Sequence, residues 1–297
     1  MAAALLAACG ESRETPAAAD ALGDDAVTVG SFNFGESVLI AELYAQAIEA
    51  AGIRVVRQFN IGPRELVEPA LEKGLVEIVP EYAGSLLGYL PGGIASSNLS
   101  TVRADLAAAL DLRGLVLLAS APAQDRNGFA VTETTARELG LVALSDLANE
   151  PGLVLGGPPE CPQRELCERG LEDLYGVRFE SFVPLDQSGP LTVDALVRGL
   201  VDVALIFTTS AEIVRNEFVL LQDDRRLQPA EHVTPVARGD VVDRFGPELT
   251  GAIDAVSALL TTGELRALNA QVEIDGRSYD VVAREWLLAH GLVADGR

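Results

Sequence analysis

Two stretches of twenty residues follow the same pattern, and this repetition constrains the fold more than any other feature of the chain. Residues 66–85 read LVEPALEKGLVEIVPEYAGS and residues 191–210 read LTVDALVRGLVDVALIFTTS, with seven identical positions. Each stretch predicts an amphipathic helix, a C-terminal glycine, a buried strand and an aromatic residue at the strand's carboxyl end, Tyr82 or Phe207. The similarity fits either an internal duplication or the ordinary helix–glycine–strand pattern of α/β proteins.

The repeated units predict a fold of two α/β lobes. Strands alternate with helices along the chain, which favours parallel sheets, and such sheets bind ligands beyond the carboxyl ends of their strands. Two polar, irregular segments, Ser120–Phe129 and Gln222–Pro235, separate apolar strands and are interpreted as crossings between lobes. Residues 27–127 and 231–297 are therefore predicted to form lobe 1, and residues 128–230 an inserted lobe 2, with a cleft between them.

Composition excludes several classes of function. The formal net charge of −22 repels phosphate backbones, so we expect no nucleic-acid binding. The chain has only two histidines, and it lacks the G-x-S-x-G, P-loop and H-E-x-x-H patterns. We therefore expect no catalytic activity, no metal and no cofactor. No run of eighteen apolar residues is present that could cross a membrane.

The first 26 residues differ in character from the rest of the chain. Leu6-Ala7-Ala8-Cys9-Gly10 resembles a bacterial lipobox, in which Cys9 becomes a lipidated first residue, although no basic segment precedes it. Residues 11–26 are rich in Ala, Pro, Asp and Glu without an apolar period, which is typical of a disordered tether. The sequence thus predicts an extracytoplasmic protein, anchored to the outer face of the cell membrane through Cys9 or periplasmic.

The two remaining cysteines, Cys161 and Cys167, lie in the segment GGPPECPQRELCERG. Outside the cytoplasm a disulfide between them is permitted and would contribute roughly 2–3 kcal/mol by closing a short loop. Two free thiols are the first alternative. Zinc is the second, but a structural zinc site needs four ligands, and His232 and His290 show no paired spacing.

Other elements are predicted from local patterns. We expect a loop over residues 86–100 and helices over Leu166–Leu174, Pro247–Leu260 and Ser278–His290. In the last of these, Val281, Val282, Trp286 and Leu287 are expected to face inward, which makes Trp286 a core residue. His232 is expected to lie on the surface of a crossing segment.

Several phrases carry a resemblance to a known family when they are read in order. They include VTVGSFNFGESVLIAELYAQAIEAAGI, PEYAGSLL, APAQDRNGFAVT, LGGPPECPQRELC and GPLTVDALVRGLVDVALIFTTS. From about Val27 to Leu292 the chain resembles the substrate-binding proteins of osmoprotectant (glycine betaine, choline, carnitine) ABC importers. The resemblance implies a two-lobed periplasmic-binding-protein-like (type II) fold that closes over a ligand. It also implies a small quaternary amine as ligand, an ABC permease subunit as partner, and a monomer.

The resemblance implies a cage of aromatic rings for the quaternary ammonium. Such a group has no N–H donor, so ring faces hold it in place of hydrogen bonds. Tyr82 matches a cage tyrosine and Ser85 a hydroxyl that contacts the ligand's carboxylate. Phe207 and Thr208 lie in the second-lobe motif.

Further positions match the family or depart from it. Asp125 and Asn127 match the crossing segment that lines the site, although the family often has an aromatic where Asn127 stands. Phe32 stands where many members have a basic residue, and we expect at least one ring of Phe32 and Phe34 to reach the cleft. Arg164 matches a carboxylate-binding arginine.

The departures leave the choice of ligand open. Near residues 231–232, where a further tyrosine is frequent in the family, this chain has Glu-His. A thinner cage with one basic contact fewer is compatible with a larger quaternary amine, such as the betaine ergothioneine, or with an amine whose binding depends less on a carboxylate. The same scaffold could also bind an amino acid or a polyphenol.

Overall fold

The structure, a computed structural model, describes residues 25–94 and 96–294. Cys9 and the predicted tether up to residue 24 lie outside the described residues. The described residues form two five-stranded mixed sheets with helices packed around them. No helix among them is both long enough and apolar enough to cross a membrane.

The first sheet has the strand order β2-β1-β3-β10-β4, and the second has the order β7-β6-β8-β5-β9. The strands are β1 (Ala26–Gly30), β2 (Arg54–Gln58), β3 (Ile78–Tyr82), β4 (Leu115–Leu117), β5 (Asn127–Val131), β6 (Val154–Gly157), β7 (Ser181–Pro184), β8 (Val203–Phe207), β9 (Val219–Leu220) and β10 (Val233–Arg238). Within each sheet the first three strands in the order are parallel, and the fourth runs antiparallel to both of its neighbours. The two sheets therefore have the same topology, and β3 occupies the central position in one that β8 occupies in the other.

The helices cover both sheets. They are α1 (Gly35–Ala50), α2 (Arg64–Glu72), α3 (Ala83–Tyr89), α4 (Leu99–Asp111), α5 (Glu133–Leu139), α6 (Glu168–Gly170), α7 (Pro190–Val197), α8 (Ala211–Arg215), α9 (Gly239–Leu259), α10 (Thr262–Glu273) and α11 (Tyr279–Ala289). The two repeated units are α2 with β3 and α7 with β8. A helix and the following strand thus recur at the same place in both sheets.

Each sheet has apolar residues on both faces, which gives two hydrophobic clusters per sheet. Around the first sheet, one cluster includes Leu39, Leu43 and Trp286 from α1 and α11, and the other includes Leu71 and Leu106 from α2 and α4. The second sheet has an equivalent pair of clusters. Strands that are buried on both faces read as continuous apolar runs, which explains why these segments lack the alternation of a half-exposed strand.

The chain passes between the sheets twice, after β4 and after β9. The two connecting segments run side by side: Gln124 and His232 form an antiparallel bridge, and the Asp125 N–H donates to the Glu231 carbonyl at 3.1 Å. His232 is half-buried, and its Nδ1 lies 2.6 Å from the Ala121 carbonyl oxygen. These paired segments hold the two sheets next to each other.

Four local predictions differ from the structure. The region predicted as a loop after Ser85 begins inside helix α3, because the apolar residues of this segment pack against α4. The helix predicted over Leu166–Leu174 is α6 followed by a π-helical turn, Leu171–Tyr175. Helix α9 begins at Gly239, and the predicted start at Pro247 is instead a kink at Gly246, whose φ is 60°. Trp286 is buried as predicted, but Val281 is 41% exposed.

Candidate functional site

A cavity of about 490 Å³ lies where the two sheets and the paired connecting segments meet. Its walls come from the loop after β1, the start of α2, the end of β3, both connecting segments and the end of β8. The lining residues are Phe32, Asn33, Phe34, Pro63, Arg64, Tyr82, Ser85, Asp125, Arg126, Asn127, Leu166, Gln187, Phe207, Gln228, Pro229 and Glu231. The carboxyl ends of β3 and β8 thus face one cavity, as the sequence pattern predicts.

Three aromatic rings form the apolar part of this cavity. Phe34 is 43% exposed, and its ring centroid lies 6.1 Å from that of Tyr82. Phe207 lines the cavity from the other sheet. Phe32 stacks on Phe34 at 5.7 Å but is itself almost fully buried in the core of the first sheet. Phe32 therefore supports the cage, and Phe34 is the ring that the loop presents.

The Tyr82 ring is held by hydrogen bonds that lead to the second sheet. Its hydroxyl donates to Glu36 Oε1 at 2.6 Å, and the other Glu36 oxygen accepts from Asn269 Nδ2 at 2.7 Å. Asn269 also donates to the Thr209 carbonyl at 3.0 Å. Burial raises the pKa of both Tyr82 and Glu36. This chain of contacts fixes the orientation of Tyr82 and links it to the loop that follows Phe207.

Asp125 supplies a buried carboxyl group to the cavity. Its Oδ1 has no hydrogen-bond partner among the described residues. Burial, and secondly the neighbouring Glu36 carboxylate, raise the pKa of Asp125 well above its usual range. A buried carboxyl group with one unpartnered oxygen favours a cation or a hydrogen-bond donor nearby, because either compensates for the loss of water.

A guanidinium group lines the same cavity near Phe32. Arg64 donates through Nε and Nη2 to both oxygens of the fully buried Glu81, at 2.9 and 2.8 Å. The Arg64 guanidinium carbon also lies 5.3 Å from the centroid of the Phe32 ring. Glu68 lies close behind this pair, and burial, followed by the neighbouring Glu81 carboxylate, raises its pKa to about 8. Arg64 thus balances a buried carboxylate and closes one side of the cavity.

Glu231 contacts Ser85 across the cavity wall. The Ser85 N–H donates to Glu231 Oε2 at 2.9 Å, and the Ser85 hydroxyl donates to Oε1 at 3.0 Å. Burial raises the pKa of Glu231, although these two hydrogen bonds and Arg64 oppose the shift. In the sequence, Glu231 is identified only as standing near the position of a tyrosine that is frequent in the family. The sequence does not predict the contact with Ser85, because the two residues lie 146 positions apart.

The structure brings most of the predicted site residues together, with two exceptions. Phe32, Phe34, Tyr82, Ser85, Asp125, Asn127 and Phe207 line the cavity. Arg164 does not line it and instead pairs with Glu160 at 2.9 Å on the surface. Thr208 points to the connecting segment, where its hydroxyl donates to the Gln124 carbonyl at 3.0 Å. Arg64 also lines the cavity and has no local signal in the sequence, since isolated charged residues are usually solvated. Glu231 lines it as well, near the position where the family frequently has a tyrosine.

The structure pairs Cys161 with Cys167 in a disulfide, as predicted, rather than leaving two free thiols or a zinc site, and the two Cα atoms lie 5.2 Å apart. The bridge closes a loop next to β6 and packs in a core cluster of the second sheet. Within the described part of the chain, no group of three or more His, Cys, Asp or Glu residues is arranged to hold a metal ion.

Comparisons with known proteins place the chain among transport proteins. The family described as the substrate-binding domain of ABC-type glycine betaine transport systems matches residues 25–289. The glycine-betaine-binding protein of Pseudomonas aeruginosa is 27% identical over 92% of this chain and 90% of its own length. The glycine betaine-binding protein YehZ of Escherichia coli is 25% identical over 89% of this chain and 90% of its own.

A solved structure shows the same fold. The crystal structure described as a glycine betaine/carnitine/choline ABC transporter superposes with a TM-score of 0.83 at 26% identity, over 90% of this chain and 99% of that one. The fold is thus the two-lobed α/β fold of type II periplasmic binding proteins, as the repeated units and the resemblance predict. The chain belongs to the family of substrate-binding domains of ABC-type glycine betaine transport systems.

Proposed function

We propose that this protein captures a quaternary ammonium solute in the cavity between its two sheets and delivers it to the permease of an ABC importer. Substrate-binding proteins of this family act outside the cytoplasm, and the family is one of transport proteins rather than of enzymes. We further propose that the protein binds its ligand without turnover, and that Phe34, Tyr82, Phe207 and Asp125 are the residues that hold the cation.

The convergence of three aromatic rings on one cavity carries the proposal. A cation over an aromatic face gains about 0.5–1 kcal/mol when exposed and about 2 kcal/mol or more when desolvated. Three desolvated rings would contribute about 6 kcal/mol, whereas micromolar affinity requires about 8 kcal/mol. A bound cation favours the ionised form of Asp125, so Asp125 and Glu231, which line the same cavity, supply the remaining attraction. The rings and the carboxylates therefore attract the same kind of group, a donor-less cation.

A thermal-shift panel tests the proposal. We expect one or more of choline, glycine betaine, carnitine and ergothioneine to stabilise the protein. At a hundredfold excess over Kd the gain is about 2.7 kcal/mol, or roughly 5–10 °C for a chain of this size. Amino acids and a polyphenol in the same panel test the alternative ligands, and mass spectrometry of each compound after incubation tests turnover. An unchanged melting temperature with every quaternary amine would contradict the proposal.

Replacing Phe34 by Ala tests the cage with little risk to the fold. The ring is 43% exposed and borders the cavity, so its removal costs the ligand a contact while the core stays intact. We expect a loss of affinity of tenfold or more by calorimetry. Tyr89, also an exposed aromatic at 40%, lies outside the cavity lining, and Tyr89→Ala is the matched control. Equal affinities in the two variants would contradict a role for the Phe34 ring.

We also propose that the mature protein is a monomer held at the membrane through lipidated Cys9. The lipobox-like residues before Gly10 support this. Labelling growing cells with an alkyne fatty acid tests it: wild-type protein takes up the label, and Cys9→Ser does not. Label on both proteins, or on neither, would contradict the anchor at Cys9. Light scattering of the purified protein tests the monomer.

A further inference from the structure

The side chain of Glu231 occupies the hydrogen-bond donors that the first sheet presents to the cavity. Both the N–H and the hydroxyl of Ser85 donate to its carboxylate, at 2.9 and 3.0 Å. Ser85 is exposed, whereas Glu231 is 8% exposed. A carboxylate that accepts from an N–H and an O–H of one residue is bound as a ligand carboxylate would be. These donors are therefore engaged by the protein itself.

The backbone next to Ser85 is shaped around this carboxylate. A Cβ atom added to Gly84 would lie 2.9 Å from Glu231 Oε1 and 3.1 Å from the Ala230 carbonyl oxygen, so only glycine leaves room for the Glu231 side chain. The Glu231 main chain is fixed as well, because its carbonyl accepts from the Asp125 N–H at 3.1 Å. Contacts to both the side chain and the main chain of Glu231 thus hold this residue in one position at the cavity wall.

The charges around Glu231 disfavour a second carboxylate at this place. Asp125 lines the same cavity with an unpartnered oxygen. Arg64 also lines it, but two of its N–H groups are engaged by Glu81. A ligand carboxylate at the Ser85 position would approach the Glu231 carboxylate, and like charges at close range repel each other strongly where water is excluded. A ligand that lacks a carboxylate avoids this repulsion at the Ser85 position, where Glu231 lies, and the guanidinium groups of Arg64 and Arg126 line other parts of the cavity wall.

We propose that Glu231 acts as a built-in carboxylate that fills the anion-binding position of the cavity, so that the site selects quaternary amines that lack a carboxylate group. This inference rests on the proposed function and adds to it the class of ligand. Glu231 is a specificity-determining residue in this account. The aromatic rings bind the trimethylammonium group, and Glu231 disfavours ligands whose remaining part carries a carboxylate.

Choline and glycine betaine are suited to test this, because they share the trimethylammonium group and differ in a hydroxymethyl group against a carboxylate. We expect calorimetry on wild-type protein to show at least tenfold tighter binding of choline. Glu231→Gln keeps the size of the side chain and an oxygen acceptor for Ser85 but removes the charge, so we expect the preference to fall at least tenfold. Glu231→Asp keeps the charge and is expected to retain the preference for choline. Glu248→Gln, at an exposed position outside the cavity lining, is the matched control.

The outcomes separate this inference from the proposed function. Glycine betaine binding as tightly as choline to wild-type protein, or a preference that Glu231→Gln leaves unchanged, would overturn the role of Glu231 and leave the transport function standing. Binding of neither compound, nor of any other quaternary amine, would overturn both. The ratio of choline affinity to glycine betaine affinity is measured on wild-type protein and requires no variant. Thermal unfolding of each variant checks that the variant is folded.

Discussion

The two repeated units make equivalent hydrogen bonds to a neighbouring strand, but some of their buried side chains differ in charge. In the first unit, Glu77 accepts from the Thr28 N–H at 2.7 Å, and in the second, Asp202 accepts from the Val154 N–H at 2.8 Å. In both units the acidic residue's own N–H donates back to the carbonyl of the same partner at 2.9 Å. Gly74 and Gly199 end the two helices with φ of 71° and 65°. These corresponding residues therefore end each helix and fix the start of the following strand to its neighbouring strand.

The units differ at the positions that face the interior. Glu68 and Glu81 of the first unit correspond to Val193 and Ile206 of the second. Both carboxyl groups are buried, and Arg64, which corresponds to Gly189, pairs with Glu81. Because a buried charge is costly unless it is paired, these residues must stay together or be lost together. The same arrangement of helix and strand thus surrounds apolar side chains at these positions in the second lobe and charged side chains, next to the cavity, in the first.

The largest expected effect follows from removing one partner of the buried ion pair between Arg64 and Glu81. Arg64→Leu leaves Glu81 fully buried without its cation, and we expect urea unfolding at pH 7 to show a loss of about 3 kcal/mol, as for other severed buried ion pairs. The double variant Arg64→Leu with Glu81→Ile imitates the second unit and is expected to regain most of that loss. If the double variant is no more stable than the single one, the pair does not act as a unit.

The next effect is a pH dependence of stability that arises from Glu68, in the first unit. Burial raises the pKa of Glu68 to about 8 in the folded protein, against about 4.5 in the unfolded chain. The folded state therefore holds the Glu68 proton more tightly, and its stability falls as pH rises from about 4.5 to about 8. Glu68→Gln removes this dependence, so we expect its stability relative to wild type to rise by about 2 kcal/mol between pH 6 and pH 8.

Urea unfolding of wild type and Glu68→Gln at each pH measures this difference, and titrating groups that do not interact with Glu68 cancel from it. Glu65→Gln, at an exposed position of the same helix, is the control and is expected to follow wild type. A difference between Glu68→Gln and wild type that does not change with pH would contradict the raised pKa.

A smaller effect is expected when the glycine that ends the helix of each unit is replaced by alanine. Gly199→Ala places a Cβ in a left-handed conformation with nothing within 4 Å, so we expect a loss of about 1 kcal/mol from strain alone. At Gly74 a Cβ would lie 3.3 Å from the Arg238 guanidinium carbon, and we expect an equal or slightly larger loss. Calorimetric melting of both variants checks this, and a gain of stability in either would show that its backbone has moved.

The smallest effect concerns the acidic residues that hold the strands. Asp202→Asn and Glu77→Gln keep one oxygen acceptor each, so we expect each to cost only about 0.5–1 kcal/mol. Glu77 also pairs with Arg244 at 2.8 Å, so its variant should lose stability partly in a salt-dependent way. Urea unfolding at low and high salt measures this, and an equal salt response in both variants would contradict the difference.

Sequence reasoning succeeded where the information is local. The repeated helix, glycine and strand placed Tyr82 and Phe207 at the ends of equivalent strands, and both line the cavity. It failed at helix α3, where tertiary packing of apolar residues decides against a loop. It also singled out Arg164, a surface residue paired four positions away, instead of Arg64. An arginine in a sequence gives no indication of which carboxylate it meets.

The sequence by itself determined the two α/β lobes, the strand ends that carry the rings and the acidic character of the chain, because apolar periodicity and turn residues act over short distances. Only the tertiary structure decided which charges share the cavity. Ser85 and Glu231 meet across 146 residues of chain because two connecting segments run side by side. Pairings of this kind depend on the position of whole segments, and therefore leave no pattern in the sequence around either residue.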